Sequence, residues 1–89
     1  MKLHNLKIKA EYANAKLKGL KPFEIRLNDR DFQVGDIIKY HCIDSPIVDG
    51  KISVFIYEIV YITDYEQKDG YIVFTDREVK NESLGMVGK

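Results

Sequence analysis

The sequence has few of the residues that build disulfide-bonded, zinc-binding or membrane-spanning proteins. Cys42 is its single cysteine, so no disulfide can form within the chain and no cysteine-rich zinc site can be built. No run of about eighteen uncharged apolar residues occurs, and the residues after Met1 do not begin a stretch typical of a signal peptide. We therefore expect a cytoplasmic protein in a reducing compartment, with no membrane span, no metal and no cofactor.

A net charge is also lacking, because 14 Lys and Arg residues are matched by 14 Asp and Glu residues. Overall charge therefore does not predict a polyanionic partner, and any nucleic-acid binding must be local. The charges are unevenly spread: residues 1–30 hold eight of the basic residues and three of the acidic ones. This distribution predicts positive potential near the N-terminal third, where a ligand phosphate would be attracted.

What the sequence does contain is enough apolar material for one small core. Its 89 residues are 45% hydrophobic, with six Tyr and four Phe, and a chain of this length has room for a single core. Alternation predicts a first strand over 3–8, with His4, Leu6 and Ile8 on one face. A helical pattern follows over 10–18 and stops at Gly19, and a second strand begins at residues 21–22.

The remaining pattern is that of strands and polar turns. We expect a strand over 37–43, a long strand over 52–63 with a bulge near Glu58, a polar loop over 64–70 and a last strand over 71–75. Phe32 is expected to anchor the loop between the second and third strands. The predicted fold class is α+β: a small, mostly antiparallel β-barrel of five or six strands with one short N-terminal helix. Residues 1–80 form one domain, 81–89 a tail, and the protein is expected to be a monomer.

One segment concentrates charged side chains with ligand-binding chemistry: Gly19-Leu20-Lys21-Pro22-Phe23-Glu24-Ile25-Arg26. Glu24 and Arg26 lie two apart on a strand and so share a face, about 7 Å between Cα atoms, with Lys21 at the strand entrance. Arg offers a planar fork for phosphate or a base edge, Lys a mobile charge, and Glu an acceptor for an exocyclic amine such as that of cytosine. The alternative is a surface ion pair worth under about 1 kcal/mol beside a solvated lysine.

This segment resembles the G-x-K-x-x-E-x-R signature of the ASCH family, a branch of the PUA-like barrels, and Val34-Gly35-Asp36-Ile37 resembles the turn that follows it there. The likeness is closer to an uncharacterised ASCH-like family of short bacterial and phage proteins, of the DUF3850 type. Its hallmarks are matched by His4-Asn5-Leu6-Lys7, by residues 23–36 without a gap, and by residues 61–67 with Gly70-Tyr71. The resemblance implies RNA or nucleotide binding in a cleft between the helix and the barrel.

Further candidate ligand contacts surround this segment, each with a structural alternative. His4 shares its strand face with apolar residues and is as well explained as a hydrogen-bonded core residue. Lys7 would be solvated by default, yet a basic first strand beside Lys21 would attract phosphate. Asn28 and Arg30 belong to a turn but are adjacent in sequence to the proposed cleft. Tyr65 is either a base-stacking residue or a tyrosine folded back on the barrel.

Two other functions remain open at the level of sequence. Small ASCH proteins that deacylate N4-acylcytidines use the motif lysine, which Lys21 matches, with a threonine and a distant glutamate. Here Glu24 stands at the position of the threonine, and Glu66, in the short 64–70 loop, is the available substitute for the glutamate. We therefore favour a binding module over an amidohydrolase. A protein-interaction module of a phage or mobile element is the third possibility.

Overall fold

The computed structural model describes residues 1–44, 47–48, 51–52 and 54–79. Its elements in chain order are β1 (Leu3–Ile8), α1 (Ala10–Leu17), β2 (Phe23–Leu27), β3 (Ile37–Cys42), β4 (Ile47–Val48), β5 (Lys51–Ile52), β6 (Val54–Thr63) and β7 (Tyr71–Glu78). The predicted helix is confirmed to within one residue, and the last strand extends three residues beyond the predicted end. The predicted C-terminal tail lies outside the described residues.

Five strands form one curled, mixed sheet in the order β1-β3-β6-β7-β2, and β4 and β5 form a separate small hairpin. Strands β1 and β3 are parallel, with Leu3 opposite Ile37, whereas the β3–β6, β6–β7 and β7–β2 pairs are antiparallel. The expected small α+β domain with a mostly antiparallel sheet and one short helix is therefore confirmed, in the form of a half-barrel.

Strands β1 and β2 are the two edges of this sheet, and arginine side chains connect them. The carbonyls of Lys2 and Ile8 accept backbone hydrogen bonds from the β3 side, at 2.9 and 3.0 Å. The carbonyl of Asn5 accepts instead from Arg30 Nη1 at 2.8 Å, and that of Lys7 from Arg26 Nη2 at 3.0 Å. Among the described residues, arginine side chains rather than the backbone of another strand therefore donate hydrogen bonds to the outer edge of β1.

The core lies on the concave face of the sheet, beneath α1. The largest fully buried apolar side chains are Ile38, Tyr40, Ile59 and Phe74. Phe32 is buried as predicted, and its ring packs 4.7 Å from that of His4 and 5.4 Å from that of Phe74, measured between centroids. The loop that carries Phe32 is therefore held against the core by aromatic packing.

Local irregularities occur where the sequence predicts them, with small displacements. The β6–β7 register shifts between Ile59 and Tyr61, one to three residues beyond the bulge predicted near Glu58. Gly19 adopts a left-handed φ of 77° directly after the helix C-cap, which is why the helix ends there. The helix begins with the Ala10 N–H donating to the Asp44 carboxylate at 2.7 Å. No helix in the described part of the chain is long and apolar enough to cross a membrane.

Candidate functional site

Strand β2 turns its charged face inward and its apolar face outward. Glu24 is 4% exposed, whereas Phe23, Ile25 and Leu27 are 39%, 55% and 48% exposed. The period of two was evident from the sequence, but the period alone does not say which face is buried. The alternative of a surface ion pair between Glu24 and Arg26 is therefore wrong for Glu24, whose carboxylate lies inside the molecule.

Three cations surround the Glu24 carboxylate. Its Oε2 atom lies 3.2 Å from Lys16 Nζ and 3.1 Å from Lys21 Nζ, and its Oε1 atom accepts from Arg26 Nε at 3.3 Å. A buried carboxylate is tolerated only when it is paired and hydrogen-bonded, and this one has all three partners within contact distance. Glu24 therefore holds the two partly exposed cations, Lys21 and Arg26, side by side.

Lys16 links this group to a second buried carboxylate that the sequence reading did not select. Its ammonium donates to Asp76 Oδ1 at 2.8 Å, and neither side chain has any exposed surface. Asp76 Oδ2 accepts from the Tyr40 hydroxyl at 2.6 Å. The rings of Tyr40 and Tyr57 lie 5.3 and 5.1 Å from Lys16 Nζ, close enough for cation–π attraction.

The environment shifts the protonation of two members of this network. Burial raises the pKa of Asp76, and the charge and hydrogen bond of Lys16 and the bond from Tyr40 oppose but do not cancel this effect. Burial, followed by the negative charges of Glu24 and Asp76, raises the pKa of Tyr40 far above its usual value. The Tyr40 hydroxyl therefore stays protonated and acts as a donor to Asp76.

An open cavity of about 460 Å³ lies against this network, lined by Tyr12, Lys21, Phe23, Glu24, Ile25 and Arg26. We call it the charged cleft; it runs between α1 and β2. The Lys21 ammonium lies 5.5 Å from the centre of the Tyr12 ring and 5.1 Å from that of the Phe23 ring. It also donates to the Phe23 carbonyl at 2.9 Å. The cleft thus combines two cations with two aromatic rings.

His4 lies outside the charged cleft, in a structural setting. It is 4% exposed, and its Nε2 atom lies 2.8 Å from Asp36 Oδ2. Asp36 also accepts from the backbone N–H groups of Lys2 at 2.9 Å and Gln33 at 3.0 Å. Burial alone would raise the pKa of Asp36, but these hydrogen bonds outweigh it and lower that pKa. The pair therefore ties the first strand to the turn before β3.

Lys7, Asn28 and Arg30 do not line the charged cleft; Asn28 lies beside the β6–β7 turn (residues 64–70), where its N–H donates to the Gly70 carbonyl at 2.7 Å. The side chain of Lys7 is exposed, and the backbone carbonyl of Lys7 accepts the hydrogen bond from Arg26. Asn28 Oδ1 accepts from the Phe32 N–H at 2.9 Å, which organises the following turn. Arg30 and Arg26 line a smaller cavity of about 160 Å³. Among the residues that the structure describes, Arg26 alone lines both this cavity and the charged cleft.

Tyr65 and Glu66 lie at the opposite end of β2 from Lys21. Phe23 pairs with Thr75 and Leu27 with Tyr71, so the β6–β7 turn (residues 64–70) adjoins the C-terminal end of β2. Four strand residues span about 13 Å. The structure therefore does not bring Tyr65 or Glu66 to the charged cleft; the carboxylate nearest Lys21 is that of Glu24.

Lys16 and Asp76 were not among the residues selected from the sequence. Each interrupts an apolar pattern, and that interruption is the signal that could have identified them. Asp76 continues the buried series of Ile72 and Phe74 at a spacing of two, where an apolar residue is expected. Lys16 lies three residues after Ala13 on the buried face of α1. A charged residue on the apolar face of each of two elements predicts that the two meet and pair.

The arrangement can bind an anion through Lys21 and Arg26 and can stack a planar group against Tyr12 or Phe23. Within residues 1–44, 47–48, 51–52 and 54–79, no three His, Cys, Asp or Glu side chains are grouped as a metal site would require.

A family model described as Domain of unknown function (DUF3850) matches residues 3–75 of the chain. That span includes both edge strands, the helix and all six residues that line the charged cleft. No curated protein matches the sequence.

Proposed function

The chain belongs to the DUF3850 family, and on that premise we propose that it binds RNA or a nucleotide in the charged cleft. The observation that carries the proposal is the pair of partly exposed cations, Lys21 and Arg26, held by one buried carboxylate beside aromatic rings. Cations supply contacts to phosphate, and aromatic rings supply surfaces on which bases stack.

The proposal includes kinship with the ASCH branch of the PUA-like barrels. Its support is the Gly19–Arg26 signature together with a short helix packed against a curled sheet, with a cleft between them. The two arginine contacts from β2 and the following loop to β1 bring the sheet edges together. In this proposal they are the side-chain counterpart of barrel closure.

The amidohydrolase alternative receives less support from the same geometry. Lys21 donates to the Phe23 carbonyl and to Glu24, which holds its ammonium as a hydrogen-bond donor rather than freeing an amine for attack on an acyl group. The candidate glutamate, Glu66, is at the far end of β2. A binding role uses Lys21 as it stands in the structure.

The test is a titration of the full chain with nucleosides, nucleotides and short RNAs, followed by variants. Lys21→Ala and Arg26→Ala each remove one charged contact, so we expect binding to weaken about tenfold or more in each. Lys68→Ala is the matched control, since it removes the same charge from an exposed position in the β6–β7 turn. Affinity should also fall as salt rises.

Circular dichroism of each variant checks whether its fold is retained. Binding that is unchanged in both Lys21→Ala and Arg26→Ala would overturn the proposed site. A second assay separates binding from catalysis: turnover of N4-acetylcytidine that disappears in Lys21→Ala would overturn the preference for a binding module.

A further inference from the structure

After their contacts within the protein are counted, the charged side chains of the charged cleft have more unused hydrogen-bond donors than acceptors. From this we infer that the cleft recognises a phosphate group of its ligand rather than a base edge. The inference rests on the proposed function and specifies which part of the ligand Lys21 and Arg26 hold. It also gives Glu24 a positioning role in place of the base-reading role that its residue type suggested.

Lys21 and Arg26 retain donors after their internal contacts are counted. An ammonium has three N–H groups; Lys21 uses two, toward the Phe23 carbonyl at 2.9 Å and Glu24 Oε2 at 3.1 Å. A guanidinium has five N–H groups; Arg26 uses two, toward Glu24 Oε1 at 3.3 Å and the Lys7 carbonyl at 3.0 Å. Among contacts within the described residues, four N–H donors therefore remain.

Glu24 has little acceptor capacity to offer a ligand. Its Oε2 atom already lies within contact distance of two ammonium groups and its Oε1 atom accepts from Arg26, while the side chain is 5% exposed. A carboxylate has about four acceptor positions in all; hydrogen bonds from Lys21 and Arg26 use two of them and the Lys16 ammonium lies against Oε2, so few are left. A base edge that presents an amine would find few acceptors here, whereas a group made only of acceptors would find several donors.

The charge of the network favours the same kind of group. Lys16, Lys21 and Arg26 carry three positive charges against the two carboxylates of Glu24 and Asp76, which leaves a net charge of +1 when both are ionised. Burial raises the pKa of Asp76, so protonation there would add to the positive excess. A phosphate brings negative charge and acceptor oxygens together, and Arg presents a fork that fits it.

The dimensions of the cleft suit a phosphate attached to a larger ligand. At about 460 Å³ it falls within the range of small-molecule sites. Tyr12 and Phe23 flank the Lys21 ammonium, so a base linked to the bound phosphate has aromatic surface within reach. A nucleoside monophosphate and a phosphodiester of RNA share this chemistry.

Calorimetric titration of the full chain with nucleoside 5′-monophosphates, the matching nucleosides and short RNAs tests the inference. We expect each monophosphate to bind at least about tenfold more tightly than its nucleoside. That advantage should be lost in Lys21→Ala and in Arg26→Ala and kept in Lys68→Ala. Short RNAs that outcompete monophosphates identify the diester as the source; the reverse order identifies the free nucleotide.

A Glu24→Gln variant separates positioning from base reading. If Glu24 only positions the cations, binding of cytidine and uridine monophosphates weakens by the same factor, because neither base contacts residue 24. A change in the ratio of these two affinities overturns the inference. Should Glu24→Gln fail to fold, the comparison of nucleotide with nucleoside in the unaltered protein still decides.

The failures of inference and proposed function are distinguishable. Nucleosides that bind as tightly as their monophosphates overturn the inference and leave binding in the cleft intact. An absence of binding by nucleosides, monophosphates and short RNAs alike overturns the proposed function itself, and the inference with it.

Discussion

Replacement of Lys16 by methionine tests the buried charge network most directly. Methionine keeps most of the side-chain volume and its apolar stem but removes the ammonium. Asp76, which has no exposed surface, and Glu24, which has 5%, would then face each other without the cation that lies 2.8 and 3.2 Å from them. Glu24 would retain Lys21 and Arg26, and Asp76 would retain the Tyr40 hydroxyl.

The size of the effect follows from these remaining partners. Removing one member of a buried ion pair lowers the free energy of unfolding by about 3–5 kcal/mol, and the contacts that persist place Lys16→Met near 3 kcal/mol on this scale. A change of 1 kcal/mol shifts the melting temperature of a domain this size by about 4–8 °C. We therefore expect a decrease of about 12–24 °C.

Urea unfolding followed by circular dichroism measures this change, with Lys18→Met as the matched control. Lys18 is exposed at the end of the helix, so the same substitution there should change stability by less than about 0.5 kcal/mol. In the Lys16→Met background, Asp76→Asn should restore part of the lost stability, because it removes a buried negative charge that no longer has Lys16 as its partner. A Lys16→Met variant as stable as Lys18→Met would refute the reasoning.

The loss should also depend on pH in a definite direction. The pKa of Asp76 is raised in the folded protein by burial, and removing Lys16 takes away a charge that opposes this rise. Between the unfolded and folded pKa values the folded state binds more protons, so acidification stabilises it relative to the unfolded chain. The difference in the free energy of unfolding between Lys16→Met and the unaltered protein should therefore decrease as pH falls.

Three further predictions concern the core around the site. Asp36→Asn should lower the free energy of unfolding most at neutral pH. The pKa of Asp36 is lowered in the folded protein, so the stability that its carboxylate contributes is lost as pH falls toward that lowered pKa. The difference between Asp36→Asn and the unaltered protein in urea unfolding should therefore narrow below about pH 4. Phe32→Ala should lower the free energy of unfolding by about 3–5 kcal/mol, whereas Tyr65→Ala should lower it by under about 0.5 kcal/mol, because Tyr65 is 77% exposed. Equal losses would contradict the anchoring role of Phe32. Tyr40→Phe should destabilise by about 1–3 kcal/mol, because a buried Asp76 oxygen loses its donor, and thermal unfolding no different from that of the unaltered protein would exclude this contribution.

Local patterns in the sequence determined most of the elements, though not the β4–β5 hairpin, whereas the segment over 19–26 was selected by its residue types and its family resemblance. The alternation over 3–8, the helical spacing that ends at Gly19 and the polar turns each depend on neighbouring residues, so local pattern is enough to find them. Phe32 could be chosen as an anchor for the same reason, as a large apolar residue between two polar turns. Strand β2 was also placed correctly, with Glu24 and Arg26 on one face.

Only the tertiary structure decided which face of β2 is buried, because alternation is the same whichever side faces the core. The inward face accommodates Glu24 because α1 places Lys16 against it, and Lys16 is accommodated because Asp76 meets it from a strand 60 residues away. The distance of the β6–β7 turn from Lys21 likewise follows from the antiparallel register of β2 and β7. Buried charges are stable only with partners, and partners so distant in sequence are brought together by the fold.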